Sequence, residues 1–576
     1  MNEQELLSEF TKRARTAGLQ VDCLASGDID SELAIVVEAP GQTEADMKMP
    51  LVGGAGRLLW DVLKPYNINR TNCYVTNVCK RKVSLSTKTD ARSPVHRSEL
   101  EHWEGLLEWE LDQLPNLKYI LVLGNYALKA ILNEEKVTLW RGSVIPIDVG
   151  KKRRRVQAVV SYNPAMILRN METEPIYRMD MQKLDMVMRD RFDHYGITHH
   201  INPTAKEALE WIEMMQSSDK PVAFDIETMS RETACIGFAN DPHEGYCINF
   251  RDTRSNRFTI DEECVIYQAL QNLFLSDAKF ITQNGNFDCY WLGYKDRLHV
   301  PRIWFDTLLA HHVLYPRLPH NLGFLTAQYT THPYYKDDGK TWREGGNINQ
   351  FWEYNVTDCA ITYAVHEKLL TELKTQKMHE FFFNHVMRLQ PHLTRMTVNG
   401  IKADAELKDS IIKSIGADVE KLGKQFDKAV KECTGDPDIS VNPRSPNQLA
   451  KLFFTTLGLV GRGATTNKNN RQRIKDHPRT SPKAVRMLNV LDEFKTEHKF
   501  HSVYATMTID EDHRIRCEWK QFGTQSAPGR LSSSTVMWGS GTNLQNQPER
   551  AYPMFIADDG YMFTYFDLSQ AEARIV

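Results

Sequence analysis

Three short stretches carry carboxylates at spacings suited to divalent-cation chemistry. Asp225-Ile226-Glu227 lies in an apolar run. The two-residue repeat of a strand puts both carboxylates on one face, about 6.6 Å apart along it. That span suits two hard cations, which sit ~3.5–4 Å apart in two-metal phosphoryl-transfer sites. Asn284-Gly285-Asn286-Phe287-Asp288 follows a second apolar run. In Tyr354-Asn355-Val356-Thr357-Asp358 the i, i+4 spacing of a helix places Tyr354 and Asp358 on one face. A phosphodiester and the water that attacks it both carry or develop negative charge, and cations between them lower that cost.

The elements that must position these groups are legible from periodicity. Apolar runs at Pro221–Glu227, Cys235–Ala239, Tyr246–Phe250 and Lys279–Gln283 predict strands, and Asp306–Leu314 and Asp358–Lys374 predict helices, with Tyr354–Asp358 opening the second. Thr331–Asn349, rich in Gly, Asp and Lys, predicts a surface loop. Ahead of this unit, Leu33–Val37, Cys73–Cys79, Ile120–Gly124 and Val156–Ser161 read as buried strands alternating with helices at Gly56–Leu63 and Ser98–Leu114. That alternation predicts a largely parallel sheet covered by helices. Polar Ile197–Pro203 reads as a linker, with a helix starting at Thr204. From about Lys377 the pattern becomes long amphipathic helices, Phe381–Val398 and Asp404–Val430, then polar strands and turns from Tyr504 on. Between Gly461 and Arg486 eight Lys or Arg face one acid, Asp476.

Composition bounds the class. The chain has 576 residues, 41% hydrophobic and 25% charged, with a net charge of −3. This is the composition of a multidomain globular protein, and it argues against wholesale disorder and collagen-like repeats. Nothing approaches the ~20 apolar residues of a membrane span, and Met1–Arg13 lacks the apolar core of a secretory signal. Ten cysteines without a C-x-x-C pair suggest neither a zinc site nor a disulfide framework, and point to a reducing, intracellular compartment. With a slightly negative net charge, nucleic-acid binding has to rest on local basic patches.

Taken together, the three acidic stretches resemble the D-x-E, N-x-x-[FY]-D and Y-x-x-x-D motifs of DEDD-type 3′–5′ exonucleases of the tyrosine subclass, and Asp306–Leu308 through His320–Leu322 also looks like that family. The resemblance implies that Asp225, Glu227, Asp288 and Asp358 hold two Mg²⁺ or Mn²⁺ ions and that Tyr354 orients the attacking water.

Towards the C-terminus, Gly529-Arg530-Leu531-Ser532-Ser533, then Asn543-Leu544-Gln545-Asn546-Gln547-Pro548, then Asp567-Leu568-Ser569-Gln570-Ala571-Glu572-Ala573-Arg574 resemble segments of family A DNA polymerases, the last being their motif A. Arg444–Leu449 and Lys499–Tyr504 look like the thumb and its connection to the palm. The resemblance implies Asp567 as a catalytic metal ligand, Glu572 as the sugar-discriminating residue, and Arg530, Gln545 and Asn546 as contacts to primer and template, with Gln570 and Arg574 shaping the same DNA-binding region. The basic run 461–486 falls at the expected thumb tip, where it would contact phosphates. The sequence given ends two residues past motif A, before the family's fingers helix and second palm carboxylate motif. Polymerisation is therefore expected to need a missing segment or a second chain; a split polymerase, an interrupted gene and a truncated chain all fit.

Val37–Gly41, Pro50–Gly56, Tyr74–Val78, Leu123–Asn125 and Asn163–Ala165 resemble the uracil-DNA glycosylase superfamily, especially its iron-sulfur branch. The resemblance implies an α/β/α fold and a pocket containing Glu38, Leu51, Asn77 and Asn163. Leu51 stands where the family has a stacking aromatic, and Asn163 where it has a histidine. Cys23 and Cys79 are the only cysteines near the cluster-ligand regions and Arg81 sits at another ligand position, so no iron-sulfur cluster is expected. The fold is implied, while base excision is left open against a role as a DNA- or protein-binding appendage, in which Lys151–Arg155 would grip phosphate or form a solvated hairpin tip.

The expectation is an α/β multidomain chain: a glycosylase-like domain at 1–198, a ribonuclease H-like 3′–5′ exonuclease at 204–375, a helical thumb and connection at 376–520 and an incomplete palm at 521–576. The resemblance implies a phage-type replicative DNA polymerase with proofreading, acting on primer-template, single-stranded 3′ ends and dNTPs in the host cytoplasm, without membrane contact. Two rivals remain: a stand-alone exonuclease on DNA or RNA, and a non-catalytic DNA-binding half of a split polymerase.

Overall fold

The computed structural model describes residues 2–82, 97–151, 153–191, 196–252, 255–340, 347–463, 465–523, 529–536 and 541–570. Lys152, Glu572 and Arg574 lie outside them. The described chain forms two compact units, Met1–Arg388 and Leu389–Val576. The two expected α/β domains share one unit, and the boundary at 388/389 falls inside the expected thumb at 376–520.

Within the first unit, β1 (Ser26–Gly27), β2 (Leu33–Val37), β3 (Tyr74–Asn77), β4 (Tyr119–Leu123), β5 (Val144–Val149) and β6 (Arg154–Ser161) form one sheet in the order β1-β3-β2-β4-β6-β5. Its middle four strands run parallel, as the strand-helix alternation predicts. The two edge strands are antiparallel. All five residues of β2 are buried, as its unbroken apolar run requires of a strand covered on both faces.

This sheet is braced by a buried ion pair. Lys80 Nζ donates to Glu110 Oε2 at 2.7 Å, with side-chain exposures of 0% and 1%. Tyr74 Oη and Thr76 Oγ1 also donate to Glu110, and Lys80 reaches Asn77 O. Glu110→Ala strands a buried ammonium and is expected to destabilise this unit by about 3–5 kcal/mol in urea unfolding, whereas the double variant K80M/E110M recovers most of the loss. A Glu110→Ala protein as stable as the parent would contradict this.

A second sheet has the order β12-β11-β8-β9-β10-β7, from β7 (Thr198–His200), β8 (Val222–Met229), β9 (Glu232–Asp241), β10 (Glu244–Asn249), β11 (Phe280–Thr282) and β12 (Ile303–Asp306). β8 to β10 form an antiparallel meander, and β11 and β12 add parallel strands beside β8. The polar segment expected as a linker instead supplies β7, parallel to β10, so the second sheet begins at Thr198. An edge strand needs only its backbone and one packed face: here the His200 ring stacks on Tyr246 at 4.5 Å. Thr204 caps the helix Ala205–Gln216 with Glu207 in a capping box, which accounts for the expected start. The long helix Asn349–Thr375 packs on β8, β9 and β10. It begins well before Tyr354, so that motif lies inside the helix rather than opening it.

In the second unit, helices Ala405–Thr434 and Pro482–Thr506 pack along each other. Ile415 and Val419 meet Phe494, Phe500 and Tyr504, while Phe426 and Val430 meet Met487, Leu488 and Leu491. Early residues of one helix meet late residues of the other, so the pair is antiparallel. Short ladders join β13 (Ile401–Lys402) to β14 (Arg514–Ile515) and β15 (Glu518–Lys520) to β16 (Ser532–Ser534). Among the described residues no helix is long and apolar enough to cross a membrane.

Candidate active site

β8 occupies the middle of its sheet, with Val222, Ala223 and Phe224 buried below the carboxylates that follow. The long helix can approach β8 because Gly237, paired across the ladder with Asp225, leaves room: a Cβ there would lie 2.3 Å from Asn355 Oδ1. Asn355 Nδ2 uses that approach to donate to Asp225 Oδ2 at 3.0 Å and to its carbonyl at 3.2 Å. One helical turn on, Asp358 faces the same point. Carboxylate oxygens of Asp225, Glu227 and Asp358 lie within 4.8 Å of one another.

Asp288 arrives from β11 through a tight turn, in which Asn284 takes a left-handed φ of 62°. Asp306 pins this turn: its Oδ2 accepts from Gly285 N at 2.8 Å, and its Oδ1 caps the next helix at Leu309 N. Asp306 is thus a structural acid. Asp288 Oδ1 accepts from Ile226 N at 3.0 Å. This tether ties it to the backbone of β8, and it stands beside the converging trio rather than in it.

Burial and mutual repulsion raise these acids. Asp225 is held well above the carboxylate range by burial, then by Asp288, Glu227 and Asp358. Glu227 is pushed to about 8, by burial first and Asp358 next. Asp288 is pushed to about 7 by burial, although backbone hydrogen bonds oppose this. Crowded carboxylates that resist ionisation alone, offering only hard oxygen donors, fit divalent cations such as Mg²⁺ or Mn²⁺.

Periodicity did not reveal two further residues. The loop expected on the surface turns inward at its start. Tyr335 is buried and donates to Asp358 Oδ1 at 2.6 Å. Lys336 Nζ donates to Tyr354 Oη at 2.8 Å and to the two Asp358 oxygens at 2.8 and 2.6 Å. The signal available was the aromatic cluster His332-Pro333-Tyr334-Tyr335 heading an otherwise charged segment. Burial and nearby acids raise the Tyr354 hydroxyl far above its ordinary range, so it remains a proton donor.

In the first sheet, Glu38, Leu51, Asn77 and Asn163 line one cavity of about 280 Å³. Asn163 Nδ2 donates to Glu38 Oε2 at 2.7 Å, and Tyr126 N donates to Glu38 Oε1 at 3.1 Å. Both Glu38 oxygens therefore have partners. Asn77 is buried and its Nδ2 has no partner among the described residues.

The polymerase-like residues are dispersed. Gln545 Nε2 donates to Leu531 O at 2.9 Å, which fixes the two motif segments against each other. Arg530, Gln545 and Asn546 are exposed. Asp567 and Gln570 lie on an exposed stretch that pairs with no strand among the described residues. Its Tyr565 and Phe566 side chains are 87% and 85% exposed. In the basic run, Arg471 and Lys475 turn inward onto Asp492. Arg462, Lys468, Arg473, Arg479, Lys483 and Arg486 stay exposed.

Residues 24–184 match the family model for the uracil DNA glycosylase superfamily, residues 200–374 that for a 3′-5′ exonuclease, and residues 409–576 that for DNA polymerase family A. DNA polymerase I of Borreliella burgdorferi is 23% identical over 505 residues, covering 84% of this chain and 52% of its own. The DNA polymerase of Escherichia phage T5 is 25% identical over 461 residues, covering 72% of this chain and 51% of its own. A type-4 uracil-DNA glycosylase of Archaeoglobus fulgidus is 30% identical over 162 residues, covering 27% of this chain and 77% of its own. The chain spans about half the length of these two polymerases. The chain thus carries, in this order, a domain of the uracil-DNA glycosylase superfamily, a 3′–5′ exonuclease domain and a region of DNA polymerase family A.

Proposed function

We propose that this protein is a replicative family A DNA polymerase whose exonuclease centre removes 3′-terminal nucleotides from primer and single-stranded DNA, and that this excision is the activity of the chain described. The observation that carries the reading is the convergence of Asp225, Glu227 and Asp358 oxygens within 4.8 Å, flanked by Tyr354 and Lys336. Asp225, Glu227 and Asp358, with Asp288 beside them, would hold divalent cations. Bound cations supply neutralisation of the phosphodiester and a lowered pKa for the attacking water. With Lys336 donating to its oxygen and its own ionisation suppressed, the Tyr354 hydroxyl would orient the attacking water by hydrogen bonding. The Lys336 ammonium adds a fixed positive charge where negative charge develops.

Polymerisation is proposed for the protein in which a second palm carboxylate accompanies Asp567, because two-metal transfer needs both. The exposed aromatic run beside Asp567 has the character of a palm strand. The exposed cations of 461–486 would meet duplex phosphates there. The likeness to a phage polymerase supports a bacterial host's cytoplasm as the place of action. In the first domain, a fully partnered Glu38 disfavours base excision, and no iron-sulfur cluster is proposed.

Proton linkage tests the cation site. Glu227 and Asp288 keep protons up to about 8 and about 7 in the metal-free native chain, from ordinary values of 4.5 and 3.8. Between these limits the native state holds more protons than the unfolded one, so metal-free stability falls as pH rises. Mg²⁺ must displace those protons. Its stabilisation is therefore expected to be larger at pH 8 than at pH 6, by about 1 °C in Tm for each kcal/mol of linked binding in a unit of this size. Equal Tm gains at the two pH values would contradict cation binding by these acids.

A further inference from the structure

The glycosylase-like domain touches the exonuclease domain through one buried lysine and the elements around it. Lys183, on the helix Glu174–Met188, is fully buried and donates to three carbonyls at 2.5–2.6 Å: Gly142 O on its own side, and Ala327 O and Thr330 O across the seam. Those two carbonyls belong to the last turn and cap of the helix Leu322–Tyr329. The chain then passes directly into 331–336, the segment that delivers Tyr335 and Lys336 to Asp358. A second grip lies midway along it, where Tyr334 N donates to Ser143 Oγ at 3.1 Å and the Tyr334 ring meets Trp140 edge-on at 5.6 Å.

The fit is close. Gly142 has a φ of +75°, and a Cβ there would lie 2.7 Å from Ala327 O. Arg141, paired with buried Asp180, lays its guanidinium over the Phe324 ring at 4.8 Å. A buried ammonium is costly unless its hydrogen bonds are met. Burial pushes the Lys183 amine down to about 7, and carbonyls of both domains accept its hydrogens, so this register of the two domains helps satisfy it.

We propose that the glycosylase-like domain serves as the brace of the exonuclease site, with Lys183 as a positioning residue that fixes the 330–336 strap and thereby places Tyr335 and Lys336 on Asp358. This rests on the exonuclease reading and extends it: the first domain contributes to excision whether or not its own cavity does chemistry. Lys183 acts through the strap and touches no reacting atom.

The test is a double-mutant cycle in the full chain, measuring excision of single-stranded DNA. K183M keeps length and removes the donors. Its kcat is expected to fall about tenfold or more with KM within about twofold, because misplacing a catalytic group by about 1 Å acts on the chemical step. In K336M the strap has already lost its reacting cation, so adding K183M should lower kcat by less than twofold further, an interaction that independent sites do not show. G142A pushes on Ala327 from the other side and is expected to give the same kcat-selective loss; it carries the test if K183M fails to fold by thermal melting. A folded K183M or G142A with parental kcat, or losses that multiply fully with K336M, would overturn the brace. If instead D225A retained the parental rate, the exonuclease reading itself would fall.

Discussion

Asp225→Ala is expected to abolish Mg²⁺-dependent removal of 3′ nucleotides, with kcat down about 10³-fold or more. Each tenfold in rate is 1.36 kcal/mol of transition-state stabilisation, and loss of a cation position removes several kcal/mol. Asp225 is the central acid of the cluster. It is half-buried, its carboxylate lies within 4.8 Å of those of Glu227 and Asp358, and it is held in place by Asn355 across the gap that Gly237 leaves open. Removing it also relieves repulsion among the remaining acids, since Asp225 is repelled by Asp288, Glu227 and Asp358. The variant should therefore be at least as stable as the parent when metal-free, yet gain less Tm from Mg²⁺. An inactive variant that had simply unfolded would be distinguished by that melt. Activity at the parental rate would remove Asp225 from the site.

Lys336→Met is expected to lower kcat about 10²-fold, the size of effect seen when one preorganised donor is lost from a charge-developing site. Lys336 links the two functional ends of the helical motif, donating to Tyr354 Oη at 2.8 Å and to Asp358 at 2.6 Å. Methionine preserves the packing of the stem and removes the charge. K336R is expected to recover only part of the rate, because a planar guanidinium does not place its donors as a compact ammonium does. KM for DNA should stay within about twofold, and raising Mg²⁺ should not restore kcat. A K336M enzyme with parental kcat, or one rescued by Mg²⁺, would show that the lysine merely fills space near the acids.

How much of this was legible beforehand follows from what each feature depends on. β2, β4 and β6 were readable because strands buried on both faces leave unbroken apolar runs. The 3.6-residue period found the helix Ala405–Thr434, and a Ser/Thr-type cap found the start at Thr204. The D-x-E and Y-x-x-x-D spacings put Asp225, Glu227, Tyr354 and Asp358 on shared faces, and the structure brings those faces together. Three features escaped. Thr198–His200 is an edge strand held by backbone pairing, which polar side chains do not announce. The inward turn of 331–336 depends on carbonyls gripped by Lys183, more than 140 residues earlier in the chain, so no local pattern encodes it. Arg471 and Lys475 look like phosphate-binding cations until the packing of the helix Lys468–Asp476 turns them onto Asp492. For such basic residues, charge alone does not say whether the partner is protein or ligand.

The most direct test of the excision centre uses a 5′-labelled primer-template incubated with Mg²⁺, with and without the four dNTPs, for the parental chain and for Asp225→Ala. The account predicts shortening of the primer by the parental chain in both lanes and none by the variant. A primer that stays full length with the parental chain, or is shortened equally by Asp225→Ala, would contradict it.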